Sequence, residues 1–181
     1  FTELLPEPPG HATRMAFHDG DLSALRRRIR DVADGAGLDR ATRDNLVLAM
    51  HELAANSIVH AGGGGVLSFW REPDALVVEV RDRGRIDDAL VGRGPLDLDA
   101  ESGRGIWIAN QLCDLVQVRS GAEGTQVRLW TWLPGQWSAT TSTAIQAAMK
   151  LVRSSMNTPG RIAGSVTHSQ RCAGVAPNSA W

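Results

Sequence analysis

Apolar residues recur at intervals of three or four in the stretch DLSALRRRIRDV, which is the pattern of an amphipathic helix. The repeating residues are Leu22, Leu25, Ile29 and Val32. Asp21 precedes them as a candidate N-terminal cap, and Gly35 or Gly37 is expected to end the helix. Asp39 begins a second helical pattern, which continues to about Ala61, where a run of glycines follows.

After the glycine run the pattern changes from helical spacing to alternation. The stretches VLSFWRE and ALVVEVRD predict two strands joined by a turn at Pro73–Asp74. A second hairpin is predicted around a turn at Gly121–Gly124. The two strands of this hairpin are predicted near residues 115–120 and 125–133. One more short strand is predicted at residues 14–18, before the first helix.

Residues 83–102 are rich in Gly, Asp and Arg and show no periodicity, which predicts a long loop. Loops of this length within a compact domain are usually functional or mobile. The stretch IWIANQLCDL after Gly105 predicts a helix before the last hairpin. Together the elements predict an α/β (α+β) two-layer sandwich, in which a mixed β-sheet is covered by helices on one face.

The charges divide the chain into two parts. The 181 residues are 43% hydrophobic with a formal net charge of −1, which allows one domain with a core and gives no overall attraction to nucleic acid or membrane. All 20 acidic and 15 of the 19 basic residues lie in 1–133. We therefore predict an N-terminal lead-in at residues 1–11, one domain at residues 12–133, and a low-complexity, flexible tail at residues 134–181.

The sequence also indicates a compartment. No stretch approaches the roughly 20 apolar residues of a membrane span, and no charged and then apolar leader opens the chain. Cys113 and Cys172 lie far apart with no CxxC motif, so a disulfide framework or zinc site is not expected and a reducing cytoplasm fits better. Phe1 at the first position suggests a processed product or a fragment of something longer.

The second helix carries polar side chains along one line. At about 100° per residue, Asn45, Asn56 and His60 fall within roughly 80° of Glu52. Because ten of the fourteen residues 46–59 are apolar, the helix is expected to be buried on most sides, with this line facing a cavity. The alternative is that the line is a solvated face. In the functional interpretation, Asn56 offers a neutral oxygen to magnesium and Glu52 accepts a proton.

The strand ALVVEVRD ends in an inward-facing carboxylate. Asp82 has the same parity as the core residues Leu76, Val78 and Val80, so it points the way that they point. Its partner could be a capping group or the guanidinium of Arg81 or Arg83. Alternatively, it accepts from the exocyclic amine of a ligand, whose flat ring Gly84 would allow to approach the backbone.

The stretch ESGRGIWIAN places two glycines at the start of a helix. The free amides and the positive dipole end there suit a phosphate, and Arg104 between Gly103 and Gly105 adds charge. A GxG motif alone is a weak signal. The order of the four features is specific: a helix with a carboxylate and an amide, a strand that ends in Asp-x-Gly, a long loop, and a helix that begins with Gly-x-Gly.

In this order, the stretches HELAANSIVHA, VRDRG, GRGIWIANQLCD and GTQVRLW resemble the histidine kinase-like ATPase (GHKL, Bergerat fold) superfamily, which contains gyrase, MutL and the sensor histidine kinases. Within it, the chain resembles most the bacterial anti-sigma factor serine/threonine kinases. The resemblance covers about residues 12–132. It implies the Bergerat fold and ATP and Mg²⁺ as cofactors.

The resemblance also implies roles for individual residues. Glu52 corresponds to the family's general base, and Asn56 to its magnesium-binding asparagine. Asp82 corresponds to the carboxylate that accepts from the amino group of adenine, with Gly84 beside it. Thr125 corresponds to a hydroxyl near the adenine.

The phosphate end follows from the same resemblance. Gly103, Arg104 and Gly105 correspond to the phosphate-binding turn, and residues 85–102 to the lid over the nucleotide. One departure is that Arg85 occupies the position where the family often has a second glycine. The segment from Pro134 onward has no counterpart in the family.

The activity implied by the resemblance is transfer of the γ-phosphoryl of ATP to a Ser or Thr of an anti-anti-sigma partner with a STAS-type domain, which frees the kinase to hold a sigma factor inactive. A homodimer is expected, with LSALRRRIRDV or Trp130 and Trp132 as contacts unless the tryptophans simply cover the sheet. Direct contact with nucleic acid or membrane is not expected. A histidine kinase would need a helical hairpin with a phosphorylatable His, and gyrase-like or MutL-like ATPases need a transducer domain for which the chain leaves too little room.

Two alternatives stay open. One is a non-catalytic, ATP-dependent binding or switch module, the output domain of a larger sensor protein. The other is an α/β domain that binds no ligand at all.

Overall fold

A computed structural model of the chain describes residues 2–93 and 103–135. The elements are β1 (Thr13–His18), α1 (Leu22–Gly35), α2 (Arg40–His60), β2 (Gly64–Arg71), β3 (Ala75–Asp82), α3 (Arg104–Leu112), β4 (Leu115–Gly121) and β5 (Gly124–Trp132). Every strand and helix predicted within 12–133 is present. The third helix begins two residues earlier than predicted and ends at Leu112, so Arg104 and Gly105 belong to its first turn. Nearly all of the predicted tail lies outside the described residues.

The five strands form one sheet in the order β1-β2-β3-β5-β4. The three helices pack on one face, which confirms the two-layer α+β sandwich. The prediction of a mixed sheet is wrong, because all four neighbouring pairs among these strands are antiparallel.

The connections explain the antiparallel sheet. Two helices link β1 to β2, and each helix reverses the direction of the chain, so β2 returns antiparallel to β1. A single helix links β3 to β4, which makes these two strands parallel. They are not neighbours, because β5 folds back between them and pairs with both.

Two aspartates act at the helix starts, in different ways. Asp39 caps α2, since its carboxylate accepts from the backbone N–H of Thr42 at 3.0 Å and from the Thr42 hydroxyl at 2.8 Å. These hydrogen bonds lower the pKa of Asp39 below its usual value, so their contribution to stability is lost as the pH falls through that lowered pKa. Asp21 turns away from α1 and accepts from the His18 N–H at 2.8 Å, which fixes the turn after β1.

The main core lies between the helix layer and the sheet. Its largest fully buried apolar side chains include Phe17, Ile29, Leu46, Leu67 and Leu129. The prediction that α2 is buried on most sides is wrong for one flank, because Leu48 is 45% exposed and Val59 71% exposed. The helices form a single layer, so no described element covers the side of α2 that faces away from the sheet.

The other face of the sheet carries a second, smaller apolar cluster. Trp70, Ala75 and Val77 are buried there, with Trp130 and Trp132 half-buried against them. The tryptophans therefore cover part of the sheet. Whether they also contribute to a dimer contact stays a prediction.

The N-terminal segment runs across this second face. The Leu5 N–H donates to Oε1 of Gln126 at 3.0 Å, and the Glu7 carboxylate pairs with Arg81 at 2.8 Å. The carbonyl of Pro6 accepts from Nη2 of Arg128 at 2.6 Å. Residues 5–7 of the lead-in, which is predicted at residues 1–11, are thus bound to the sheet.

A buried ion pair lies beneath this segment. Nε and Nη2 of Arg128 lie 2.7 and 2.6 Å from Oε2 of Glu79, and the two side chains are only 8% and 2% exposed. The guanidinium also lies over the rings of Trp70 and Trp130, 5.0 and 5.7 Å from their centroids. Removal of one partner would leave the other charge buried and unpaired, which is far more costly than loss of a surface pair.

We expect Arg128→Ala to lower the free energy of unfolding by about 3–5 kcal/mol, measured by guanidinium denaturation. The matched control is Arg85→Ala, because Arg85 is 71% exposed in its ion pair with Asp87 and such a pair contributes about 0–1 kcal/mol. Equal losses in the two variants would contradict a buried, structurally important ion pair.

Candidate functional site

The polar line of α2 faces the first turn of α3. A Cβ placed on Gly105 would lie 2.4 Å from Nδ2 of Asn56 and 3.4 Å from Cβ of Glu52. Only glycine allows this approach without displacing the Asn56 amide. Glu52 and Asn56 are both half-buried, whereas His60 at the end of the line is exposed. The structure therefore brings three of the predicted site residues together at one place.

The beginning of α3 has features that suit an anionic ligand. Gly103 is the N-cap residue with φ 93°, a left-handed conformation that suits glycine, and it forms no side-chain capping hydrogen bond. The first N–H groups of a helix have no acceptor within the helix. Arg104 is exposed at this same end. Free N–H groups, the positive end of the helix dipole and a guanidinium are an arrangement suited to a phosphate.

The carboxylate of Asp82 is held by two donors. Its Oδ2 accepts from the hydroxyl of Ser57 at 2.6 Å, and its Oδ1 accepts from the backbone N–H of Gly84 at 2.8 Å. Among the described residues neither Arg81 nor Arg83 bonds to it, and Arg81 pairs with Glu7 instead. A capping interaction from the following turn thus occurs, and the arginine ion pair does not.

A chain of hydrogen bonds joins the loop after β3 to the hairpin of β4 and β5. The Ile86 N–H donates to the Ser120 hydroxyl at 2.8 Å, which lies 2.8 Å from the Thr125 hydroxyl, and Thr125 donates to the carbonyl of Gly84 at 2.9 Å. Since the Thr125 proton goes to Gly84, the Ser120 proton must go to Thr125. Thr125 therefore positions the backbone beside Asp82.

Two glycines permit close packing at this end. A Cβ on Gly84 would lie 2.7 Å from Cβ of Ala61, at the end of α2. A Cβ on Gly124 would lie 2.0 Å from the carbonyl oxygen of Asp82, and Gly124 also has φ 106°. The loop after β3 thus runs between the end of α2 and the hairpin.

Two site residues, Ser57 and Ser120, are not among those that the sequence singles out. Ser57 is 1% exposed on the side of α2 that faces the sheet, and Ser120 is 2% exposed next to the last hairpin turn. A signal for Ser57 exists, because it is the one hydroxyl among the sheet-facing residues of this helix. Its partner Asp82 lies 25 positions away and could not be inferred from spacing.

The described part of the predicted lid lies on α3. Gly92 has φ 69°, and a Cβ there would lie 2.7 Å from the backbone nitrogen of Trp107. The carbonyl of Gly92 accepts from Nδ2 of Asn110 at 3.1 Å. The stem of the loop is thereby fastened to the helix whose N-terminus is open. Residues 94–102 of the predicted lid lie outside the described residues.

Asn56 is the candidate metal ligand at this place. Within residues 2–93 and 103–135, no group of three or more His, Cys, Asp or Glu side chains could hold a metal ion. Asn56 has no hydrogen bond to another side chain in this part of the chain, so its amide oxygen is available. An amide oxygen is the kind of ligand that magnesium accepts, usually together with several waters.

The described helices include none that is both long enough and apolar enough to cross a membrane.

The sequence profile of the histidine kinase-like ATPase domain matches residues 16–131, which is more than half of the chain. The chain belongs to the histidine kinase-like ATPase family. The predicted superfamily and its fold are confirmed. Residues 16–131 of the chain contain every predicted site residue, from Glu52 to Thr125.

One solved structure shares the fold of this histidine kinase-like ATPase, and a second aligns more weakly. The RsbU and RsbW domains of Rv1364c from Mycobacterium tuberculosis align with a TM-score of 0.51 and 20% identity over 69% of this chain and 33% of that chain. The chain thus spans about a third of the length of the mycobacterial chain. The histidine kinase AdeS of Acinetobacter baumannii aligns with a TM-score of 0.41 and 12% identity over 68% of each chain. No curated protein matches the sequence significantly.

The close approach of the hairpin to Asp82 can be tested with two glycine variants. Gly62 and Gly124 both have positive φ, 88° and 106°, but a Cβ on Gly62 would meet no atom within 4 Å. We expect Gly62→Ala to lower the free energy of unfolding by about 1–2 kcal/mol, from the left-handed conformation alone. Gly124→Ala should lower it by a further ~1–3 kcal/mol through overpacking against Asp82. Equal losses in urea denaturation would contradict the close contact.

Proposed function

We propose that this chain binds ATP with Mg²⁺ and transfers the γ-phosphoryl group to a Ser or Thr of a STAS-type anti-anti-sigma partner, thereby regulating a sigma factor. The observation that carries the proposal is the packing of Gly105 against Glu52 and Asn56. It places an open helix N-terminus beside a carboxylate and an amide, and the family to which the chain belongs uses ATP.

The adenine would bind at the Asp82 end. An ionised carboxylate only accepts hydrogen bonds, and Ser57 and Gly84 occupy part of its accepting capacity without neutralising it. The exocyclic amine of adenine is a donor that matches the remaining capacity. Gly84 presents backbone without a side chain at this place, and Thr125 holds that backbone in position.

The triphosphate would bind at the first turn of α3, beside Glu52 and Asn56. The free N–H groups of α3 and the guanidinium of Arg104 would hold the phosphate oxygens, with Gly103 and Gly105 allowing their close approach. The amide oxygen of Asn56 would be a ligand of Mg²⁺, whose charge offsets that of the phosphates. The oxygen donor of Asn56 fits this ion.

Glu52 is assigned the role of general base. Phosphoryl transfer depends mainly on the positions of the reacting groups and on charge neutralisation, so the protein has few chemical steps to perform. Glu52 would orient the partner's hydroxyl and accept its proton as the oxygen attacks the γ-phosphorus. Asn56, one helical turn away, would keep the phosphates in line for that attack.

The partners follow from the resemblance and from the RsbW domain named in the similar mycobacterial structure. They are a sigma factor and an anti-anti-sigma protein with a STAS-type domain, which is the phosphorylation substrate. The proposal also includes a homodimer that works in the cytoplasm, without direct contact with nucleic acid or membrane.

One observation favours a second candidate function. The chain aligns with only 33% of the mycobacterial chain, in which an RsbU domain accompanies the RsbW domain. It could therefore act as a nucleotide-dependent binding module without catalysis, in which ATP changes the affinity for a partner.

We expect Asp82→Asn to weaken ATP binding by about tenfold to a hundredfold, measured by calorimetry with and without Mg²⁺. Asparagine offers one accepting oxygen to the donors of Ser57 and Gly84, so one donor is left unmatched and the adenine amine loses its partner. The control is Asp74→Asn, because Asp74 is exposed in the turn before β3, at the end of this strand opposite to Asp82. If ATP bound both variants as tightly as the natural chain, adenine recognition by Asp82 would be refuted.

Glu52→Ala separates the two candidate functions. The kinase proposal predicts unchanged ATP affinity and a loss of phosphoryl transfer of about a hundredfold to ten-thousandfold, measured with γ-labelled ATP and a cognate STAS-type partner. Glu123→Ala, in the exposed turn between β4 and β5, is the control. Full transfer by Glu52→Ala would remove the base role, and no transfer by the natural chain despite tight ATP binding would favour the switch module.

A further inference from the structure

Ser57 is a buried residue of α2 whose hydroxyl contacts the proposed adenine-binding carboxylate. Its Oγ lies 2.6 Å from Oδ2 of Asp82 and 3.1 Å from the carbonyl oxygen of Leu53, one turn earlier in α2. A hydroxyl has one proton to donate. The shorter contact is to a charged acceptor, and such charge-assisted hydrogen bonds are the stronger ones. The proton of Ser57 is therefore committed to Asp82.

This hydrogen bond restricts the orientation of the carboxylate. Because the backbone N–H of Gly84 donates to Oδ1 while Ser57 donates to Oδ2, the carboxylate of Asp82 cannot rotate without breaking one of the two bonds. Each oxygen can accept a further hydrogen bond. The free accepting directions are thus fixed before any ligand arrives, and fixed acceptors bind a matching donor with less loss of entropy.

The same bond leaves no proton for an accepting ligand. A purine with a 6-oxo group would present an oxygen to the carboxylate of Asp82, and two acceptors repel each other. The hydroxyl of Ser57 could relieve this only by rotating its proton away from Asp82, which would leave the carboxylate without one of its donors. Such an unmatched charged group is costly when partly buried.

We propose that Ser57 determines the preference of this site for 6-amino over 6-oxo purine nucleotides, as a positioning residue that acts through Asp82. The inference rests on the proposed ATP site and adds the residue that sets its base specificity. Ser57 follows Asn56 directly, so the same turn of α2 positions both the carboxylate for the base and the amide for the phosphate end.

The test compares the affinities of ATP and inosine triphosphate, which carries the 6-oxo group, for the natural chain and Ser57→Ala in the presence of Mg²⁺. We expect ATP to bind Ser57→Ala about tenfold more weakly, because the carboxylate is no longer held. Inosine triphosphate relies on the phosphate end, so its affinity should stay unchanged or rise slightly. The ratio of the two affinities should therefore fall about tenfold.

Two further variants make the result specific to the hydroxyl. Ser57→Thr keeps the donor and should retain the ratio of the natural chain. Ser68→Ala removes a serine that is 4% exposed on strand β2, on the opposite face of the sheet, and should leave both affinities unchanged. The free energy of unfolding of each variant is measured alongside.

Each outcome decides a different statement. If Ser57→Ala left the ratio of the two affinities unchanged, the role of Ser57 in base specificity would be overturned. Equal losses of affinity for both nucleotides would then indicate a structural role. If Ser57→Ala does not fold, a tenfold loss of the ratio in a folded Ser57→Thr would overturn it. Failure of the natural chain to bind either nucleotide would instead refute the proposed function itself.

Discussion

The carboxylate of Asp82 joins three parts of the molecule that are distant in the sequence. Ser57 on α2 donates to one of its oxygens, and the N–H of Gly84 donates to the other. Thr125 on β5 in turn donates to the carbonyl of Gly84. A half-buried carboxylate at the end of a core strand needs such donors, because an unmatched one is costly. The helix layer, the loop after β3 and the last hairpin are thereby held in one arrangement.

Close packing at glycines completes that arrangement. Gly105 lets the first turn of α3 lie directly against Asn56, and Gly124 lets the hairpin approach the backbone of Asp82. Asn56 and Ser57, the α2 residues that contact Gly105 and Asp82, are consecutive in the chain. Residues that could hold a base and residues that could hold phosphates are therefore both fixed to the same helix.

The other face of the sheet supports the site from behind. β5 presents Thr125 to the site on one face and, on the other, Gln126 and Arg128, which bind residues 5 and 6 of the N-terminal segment. The ion pair between Arg128 and Glu79 is buried beneath that segment. A strand fixed on both faces has little freedom to move.

Local patterns in the sequence determined the helices, the strands, the start of α2 after Asp39 and the inward direction of Asp82, because spacing acts over a few residues. The order of the motifs was also enough to indicate the family. Only the tertiary structure decided that the sheet is wholly antiparallel, that one flank of α2 is exposed, and that the N-terminal segment lies on the sheet. It also supplied Ser57 as the partner of Asp82. These features depend on contacts between residues far apart in the chain, and such contacts leave no periodic signal in a single sequence.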